Sequence, residues 1–138
     1  MKIRTLINLS LILVSMALIN GCGSKKYADV EKATNDYTKA MENMAASIEK
    51  ATNASDVAKA INNYNDKMEI LTPKMKKISE KYPELKDKNN IPEELKECQK
   101  RAEEAAQKFT SSMMKAMPYM NDPEVQKAQQ RMGEVMMN

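Results

Sequence analysis

The 138-residue chain has no histidine and only three glycines. Histidine is the side chain whose ordinary pKa makes it titrate close to neutral pH. Its absence removes the Ser-His and Cys-His nucleophile pairs, the HExxH zinc motif and the CxxCH haem attachment. A chain so poor in glycine also lacks a loop that cradles phosphates. We therefore expect a protein that is not an enzyme, with no catalytic residues and no cofactor.

Cysteine is also scarce, since Cys22 and Cys98 are the only two in the chain. A disulfide framework needs more cysteines than this, and Cys22 has another role, described below. Cys98 falls on a predicted apolar helix face, where cysteine behaves as a small hydrophobic residue. We expect a fold without a disulfide and a buried Cys98 thiol; a functional thiol is the alternative.

No strong charge imbalance points to nucleic acid. The chain has 22 Lys and Arg residues against 19 Asp and Glu, and removal of Lys2 and Arg4 with the segment described next leaves 20 against 19. A basic patch or stripe is the usual footprint of a nucleic-acid-binding protein. The near-neutral balance predicts no nucleic-acid partner.

The amino terminus has the organisation of a secretory signal. Lys2 and Arg4 precede an uncharged run, rich in Leu and Ile, from Thr5 to Ile19. The run is shorter than the roughly 20 residues that a helix needs to span a bilayer core, and it ends in small and polar residues. This pattern predicts cleavage on export instead of a membrane-spanning helix.

The residues Ile19-Asn20-Gly21-Cys22 resemble the lipobox of bacterial lipoproteins, with an aliphatic residue at minus three, Gly at minus one and the required Cys. Asn20 departs from the Ala or Ser usual at minus two. The resemblance implies that residues 1–21 are a lipoprotein signal peptide and that residues 22–26 are a lipidated tether. It also implies that Cys22 becomes the first mature residue and carries the lipid, palmitate included. It covers residues 1–24 and indicates no family for the mature domain.

The resemblance also implies a location for the protein. Gly23 and Ser24 follow the cysteine, and in enteric bacteria the absence of Asp there implies sorting to the periplasmic leaflet of the outer membrane. The outer face of the cytoplasmic membrane is the alternative, in a host with a single membrane. In both cases the membrane is a partner, through the lipid on Cys22.

Residues 27–138 have the pattern of one all-α domain. Apolar residues recur at alternating steps of three and four, as in a coiled-coil heptad. The first stripe predicts a helix over residues 26–52, and the second, capped by Ser55, continues through Pro73 to Tyr82. Because the apolar phase is unchanged across Pro73, one kinked helix is favoured over two. The two stripes consist of Tyr27, Val30, Thr34, Tyr37, Met41, Met44, Ile48 and Ala51, and of Val57, Ile61, Tyr64, Met68, Leu71, Met75, Ile78, Tyr82 and Leu85.

Two further helices are predicted. Asn90 and Glu93 have the spacing of a capping pair around Pro92, and Asp122-Pro123 places a cap before a proline at the first helical position. The third stripe consists of Ile91, Leu95, Cys98, Ala102, Ala105, Phe109, Ser112 or Met113, and Ala116 or Met117. The fourth consists of Val125, Ala128, Met132, and Val135 or Met136.

Three helices of similar length joined by short connections predict an antiparallel three-helix bundle with a short fourth return helix. One extended coiled coil is the alternative, and the oligomeric state stays open. In the bundle, the turn that begins at Pro83 returns to the tether. Its lysines, together with Lys25 and Lys26, would make that end basic and suited to anionic head groups; a merely solvated turn is the alternative.

Methionine is abundant, with 13 residues, seven of them from Met113 onward. Met113, Met117 and Met120 recur on one predicted helix face, and thioether sulfur suits Cu(I) and Ag(I). The same spacing also arises in a core stripe or in a groove for an apolar or helical partner.

These patterns together predict a lipid-anchored, non-enzymatic cell-envelope lipoprotein. It would act as a helical binding or structural module, with a protein partner at its Met-rich end, which lies distal to the anchor. A lipoprotein that binds or sequesters soft metal through the Met cluster is the alternative.

Overall fold

The computed structural model describes residues 26–87 and 91–137, which form four α-helices and two short 3-10 helices. The all-α fold class is therefore confirmed for the described residues. The signal peptide and Cys22 lie outside them. The α-helices are α1 (Ala28–Glu49), α2 (Ala54–Lys81), α3 (Glu93–Ala116) and α4 (Pro123–Met137), and the 3-10 helices are Pro83–Lys86 and Met117–Tyr119.

The cap of α2 differs from the predicted one. Asn53 has an extended backbone, and its side-chain oxygen accepts a hydrogen bond of 2.9 Å from the backbone N–H of Asp56. Asp56 in turn accepts from the backbone N–H of Thr52 at 3.2 Å. The prediction of Ser55 as the cap was wrong, because an asparagine two residues earlier already satisfies the free N–H groups of the first turn.

The other helix boundaries follow their local sequence. The Asp122 carboxylate accepts from the backbone N–H of Glu124 at 2.9 Å, and α4 begins at Pro123 as predicted. Helix α3 begins at Glu93 without a side-chain cap, and Asn90 of the predicted capping pair lies outside the described residues. Helix α2 continues through Pro73, which confirms one helix there; the proline is exposed, so water can satisfy the carbonyl that loses its partner.

Helix α1 packs against both α2 and α3, and α2 packs in addition against α4. A helix with two neighbours must bury more than one heptad stripe. Of its predicted stripe, α1 buries Val30, Met41, Met44 and Ile48, while Thr34 and Tyr37 are half-buried. It also buries Ala33, Ala40 and Ala45, whose small side chains allow close approach. Thr38 is also buried, and its hydroxyl donates to the carbonyl of Thr34 at 2.8 Å, so burial leaves it satisfied.

The apolar interior is divided into two parts. The proximal cluster, at the end where α1 begins, consists of Tyr27, Val30, Tyr82 and Leu95, with Ile78, Leu85 and Ile91 packed against it. The distal core takes residues from all four α-helices. Its members are Ala40, Met41, Met44, Ile48, Val57, Ala58, Ala60, Ile61, Tyr64, Met68, Leu71, Ala105, Ala116, Val125, Ala128 and Val135.

The division follows from the length of α4. Its 15 residues extend over about 22 Å, which is too short to accompany α2 along its full length. Arg131 of α4 binds Asp66 and Glu69 of α2 at 2.7 Å. Helix α4 ends at Met137, six residues later, whereas α2 continues to Lys81. Met75, predicted on the apolar stripe of α2, lies farther along that helix and is 36% exposed.

One polar side chain is fully buried between α2 and α4. The amide nitrogen of Asn65 donates to the carbonyl of Ala128 at 2.9 Å, while its carbonyl oxygen has no hydrogen-bond partner among the described residues. A buried polar atom without a partner costs about 1–3 kcal/mol. Asn65 therefore fixes the position of α4 on α2 at a cost in stability.

We expect Asn65→Leu to raise the free energy of unfolding by about 1 kcal/mol, because it removes the unpaired oxygen and keeps the site filled. Asn65→Ala should lower it by a similar amount, since it leaves a cavity. Urea unfolding monitored by circular dichroism measures both variants. A loss of stability in Asn65→Leu as large as that in Asn65→Ala would contradict this account.

Cys98 is buried, with 2% of its surface exposed, as predicted. Its sulfur lies 3.5 Å from the Arg101 guanidinium, whose other contact is the side-chain oxygen of Asn35 on α1 at 2.9 Å. The thiol therefore occupies a small site in the interface of α1 and α3, beside a fixed positive charge.

Native protein should react slowly with a thiol reagent at Cys98 and quickly after denaturation. Cys98→Ala should cost about 1 kcal/mol. Cys98→Lys should cost much more, because it buries a second positive charge beside Arg101. Labelling followed by mass spectrometry, with thermal melts of both variants, measures these effects; rapid labelling of the native form would refute the buried assignment.

Candidate functional site

The predicted lipidation site, Cys22, lies four residues before Lys26, the first described residue. An extended chain covers at most about 3.6 Å per residue, so the two α-carbons are within about 14 Å of each other. The first turn of α1 therefore lies close to the predicted anchor. The contacts of this turn with the end of α2 therefore limit how far the predicted tether can move relative to the helices.

Two similar tetrapeptides meet at this end. Lys26-Tyr27-Ala28-Asp29 opens α1, and Lys81-Tyr82-Pro83-Glu84 closes α2 and begins the first 3-10 helix. Each has the order Lys, Tyr, any residue, acid. We call these eight residues the proximal clasp, because the Lys and Tyr of each tetrapeptide bind the acid of the other.

The first half of the proximal clasp is centred on Asp29. Lys81 Nζ donates to Asp29 Oδ2 at 2.7 Å. The Tyr82 hydroxyl lies 2.9 Å from Asp29 Oδ1 and 2.6 Å from the backbone carbonyl of Lys26, and it shares its one hydrogen between these acceptors. Tyr82 therefore binds the backbone of the last residue of the predicted tether.

The second half is centred on Glu84. Lys26 Nζ and the Tyr27 hydroxyl both donate to Glu84 Oε1 at 3.2 Å. The rings of Tyr27 and Tyr82 pack against each other with centroids 5.2 Å apart, and both rings are buried. Each lysine also lies over the ring of its own tyrosine, at 4.6 Å for Lys26 and 4.7 Å for Lys81.

These contacts shift the titration of four side chains. The hydrogen bond from Lys81 lowers the pKa of Asp29 and correspondingly raises the pKa of Lys81. A backbone hydrogen bond, and then the bond from Lys26, lower the pKa of Glu84. Contacts with Tyr27 and then Glu84 raise the pKa of Lys26. All four groups are held in their charged forms at neutral pH.

The sequence interpretation missed the proximal clasp. Tyr27 and Tyr82 were predicted only as apolar stripe residues, and the signal that could have identified the clasp is the repeated Lys-Tyr-x-acid order at the two ends of a helix pair. Contact of the basic end with lipid head groups stays a prediction, as does the alternative of a merely solvated turn. Lys26 and Lys81 at this end each bind a carboxylate. Lys25 and Lys88 lie outside the described residues.

The structure separates the three methionines proposed as soft-metal ligands. Met113 and Met120 pack against the distal core, and the Met120 sulfur accepts a hydrogen bond from Gln129 at 2.6 Å. Met117 is 65% exposed and the nearby Met114 is 66% exposed. The metal site stays a prediction. The thioethers of Met113 and Met120 therefore lie against the core, whereas that of Met117 lies on the exterior.

Within residues 26–87 and 91–137 no three Cys, Asp or Glu side chains are grouped so that they could hold a metal ion. No helix in the same part of the chain is long and apolar enough to cross a bilayer.

No protein-family model, curated protein or solved structure matches the chain.

The proximal clasp predicts a pH dependence of stability. Because the pKa values of Asp29 and Glu84 are lowered by folding, their contribution is present above the ordinary carboxyl pKa of about 4 and is lost as the pH falls through the folded values. The wild-type protein should therefore lose more stability between about pH 5 and about pH 3 than Asp29→Asn/Glu84→Gln. Urea unfolding across this range measures the difference, which should shrink at high salt.

The matched control is Glu42→Gln/Glu80→Gln, which neutralises two exposed carboxylates elsewhere on α1 and α2. It should keep the pH profile of the wild-type protein. Parallel profiles for the wild type and Asp29→Asn/Glu84→Gln would show that the proximal clasp contributes no pH-dependent stability.

Proposed function

We propose that this protein is a lipid-anchored, non-enzymatic component of a bacterial cell envelope that acts as a helical binding or structural module. The observation that carries the proposal is the lipobox-like Ile19-Asn20-Gly21-Cys22, followed within four residues by a helical region that binds its own tether. In this proposal residues 1–21 are removed, residues 22–26 form the lipidated tether and residues 27–138 form the bundle domain.

The location is part of the proposal. Gly23 and Ser24 after the cysteine favour the periplasmic leaflet of the outer membrane, with the outer face of the cytoplasmic membrane as the alternative. The lipid on Cys22 supplies the membrane contact. A single acyl chain gives only marginal binding, so stable anchoring needs the several chains that the lipoprotein class carries.

An antiparallel bundle with a short return helix is the arrangement that we propose for the domain. In support, the beginning of α1 contacts the end of α2 through Lys81 and Asp29. Arg101 binds Asn35 and Lys115 binds Glu49, and both pairs are separated by 66 residues. A constant offset is expected of two helices that run in the same direction, as the first and third helices of an up-down-up path do.

The proposed binding surface is the distal, Met-rich end. Met114 and Met117 are each about two-thirds exposed, at 66% and 65%, and they lie where α3 passes into the second 3-10 helix. Lys115, between them in sequence, contacts Glu49 at the end of α1, which supports a position opposite the predicted anchor. Flexible, polarizable Met side chains suit an apolar or helical protein partner.

We expect the mature protein to begin at Cys22 with lipid attached, and Cys22→Ala to release the protein into the soluble fraction or leave an uncleaved precursor. Mass spectrometry of the amino-terminal peptide and fractionation of cells that express each form measure this. Cys98→Ala is the matched control and should stay lipidated and membrane-bound. A mature chain that begins elsewhere and carries no lipid would refute the proposal.

A further inference from the structure

The outer surface between α1 and α2 has an exposed isoleucine at its centre. Ile70 lies in the middle of α2 and is 58% exposed. The other large exposed apolar side chains in the described part of the chain are all methionines. More than half of the Ile70 surface lies against water, where a β-branched residue has no advantage in helix propensity. A single exposed apolar residue is ordinary on a protein surface, so what distinguishes Ile70 is the set of residues around it.

Ile70 lies in a depression of about 380 Å³ with an apolar floor and basic walls. Ala40 and Leu71, both buried, form the floor beside it. Lys39 of α1 stands on one wall, and Lys67 and Lys74 of α2 stand on the other. Asp36 and Asn43 complete the lining. We call this depression the basic groove.

The three lysines of the basic groove have no ionic partner within the described residues. All three are exposed, whereas Lys26 and Lys81 in the proximal clasp are each paired with a carboxylate. Asp36 is the one acid in the lining, so the groove is positive overall. Its charge is therefore available to an acidic ligand.

We propose that the basic groove binds an acidic amphipathic helix of a protein partner. A groove between two helices has the shape that receives a third, which lays its apolar face on the floor. Lys67 and Lys74 are two helical turns apart, about 10.5 Å along the axis. An acid pair seven residues apart on the partner would face them, with apolar residues three and four positions after the first acid resting on Ile70. A second acidic row would face Lys39.

The apolar centre decides between a helix and a simple polyanion. A phosphate-rich polymer would use the three lysines but would leave Ile70 against water, whereas an amphipathic helix uses both. The proposal does not depend on the lipid anchor, because every residue in it belongs to α1 or α2. It also concerns a different surface from the Met-rich distal end.

The test uses the protein isolated from cells that express the full chain, and a labelled synthetic helix with this spacing of Glu and Leu. Fluorescence anisotropy should show saturable binding that weakens with salt, and a peptide with Gln in place of Glu should bind at least about tenfold more weakly. Lys67→Glu/Lys74→Glu should lose about tenfold or more in affinity, which corresponds to about 1.4 kcal/mol. Ile70→Gln should lose affinity as well.

The matched control is Lys59→Glu/Lys127→Glu, which changes the net charge equally in the groove between α2 and α4 and should bind within about twofold of the wild type. Circular dichroism and thermal melts establish that each variant is folded, which is expected because all the changed residues are exposed. Equal losses in the control, no effect of Ile70→Gln, or equally tight binding of soluble polyphosphate would overturn the proposal. Self-association abolished by Lys67→Glu/Lys74→Glu would overturn it too, by assigning the groove to a second copy.

Discussion

The packing of α1 against two neighbours is the constraint on which the rest of the structure depends. Small side chains make it possible, because Ala33, Ala40 and Ala45 are buried on α1 and let α2 and α3 come close without displacing the larger stripe residues. Those larger residues then enter the two apolar clusters, Val30 the proximal cluster and Met41, Met44 and Ile48 the distal core. Since α1 occupies the middle, its outer face forms one wall of two grooves, a basic one with α2 and one with α3 that contains Glu42, Glu49 and Glu104.

The proximal clasp joins α1 to α2 at the end where α1 begins, as the distal core joins the helices at the other end. α4 adds nothing to the proximal cluster, so α1 and α2 would there be joined by few apolar contacts. The two Lys-Tyr-x-acid segments compensate with paired tyrosine rings and hydrogen bonds. Exposed ion pairs stabilise only weakly because water and salt screen them, so the buried rings contribute more. The bond from Tyr82 to the Lys26 carbonyl fixes the last residue of the predicted tether relative to the helices.

The spacing of apolar residues predicted which side chains are buried on the main face of each helix. It did not predict burial that depends on a second neighbouring helix or on a single polar contact. Val57, Ile61 and Tyr64 are buried as their stripe predicts. Period alone could not show that Ala40 faces another helix, because alanine is compatible with either surface. Asn65 is polar, and it is buried only because α4 passes over it.

The candidate functional residues also differ in whether a local sequence pattern could predict them. Cys22 was predicted from a local motif. The proximal clasp and the basic groove join residues more than 25 positions apart in sequence, such as Lys39 and Lys67, and no local pattern brings these together. Met113 and Met117 show the converse: their spacing suggested one shared face, yet one packs on the core and the other is exposed.

In the proposed arrangement the proximal clasp and the basic groove lie at different distances from the membrane. Lys81 belongs to the proximal clasp at the anchored end; Lys74 is about 10 Å farther along α2 and Lys67 about 21 Å farther. The attraction of anionic head groups falls off within a Debye length, about 8 Å at physiological salt. The clasp lysines, which lie nearest to the predicted anchor, are already paired with carboxylates. The groove lysines of α2 are unpaired within the described residues and lie more than a Debye length farther along that helix, so an acidic partner would meet little competition from the bilayer.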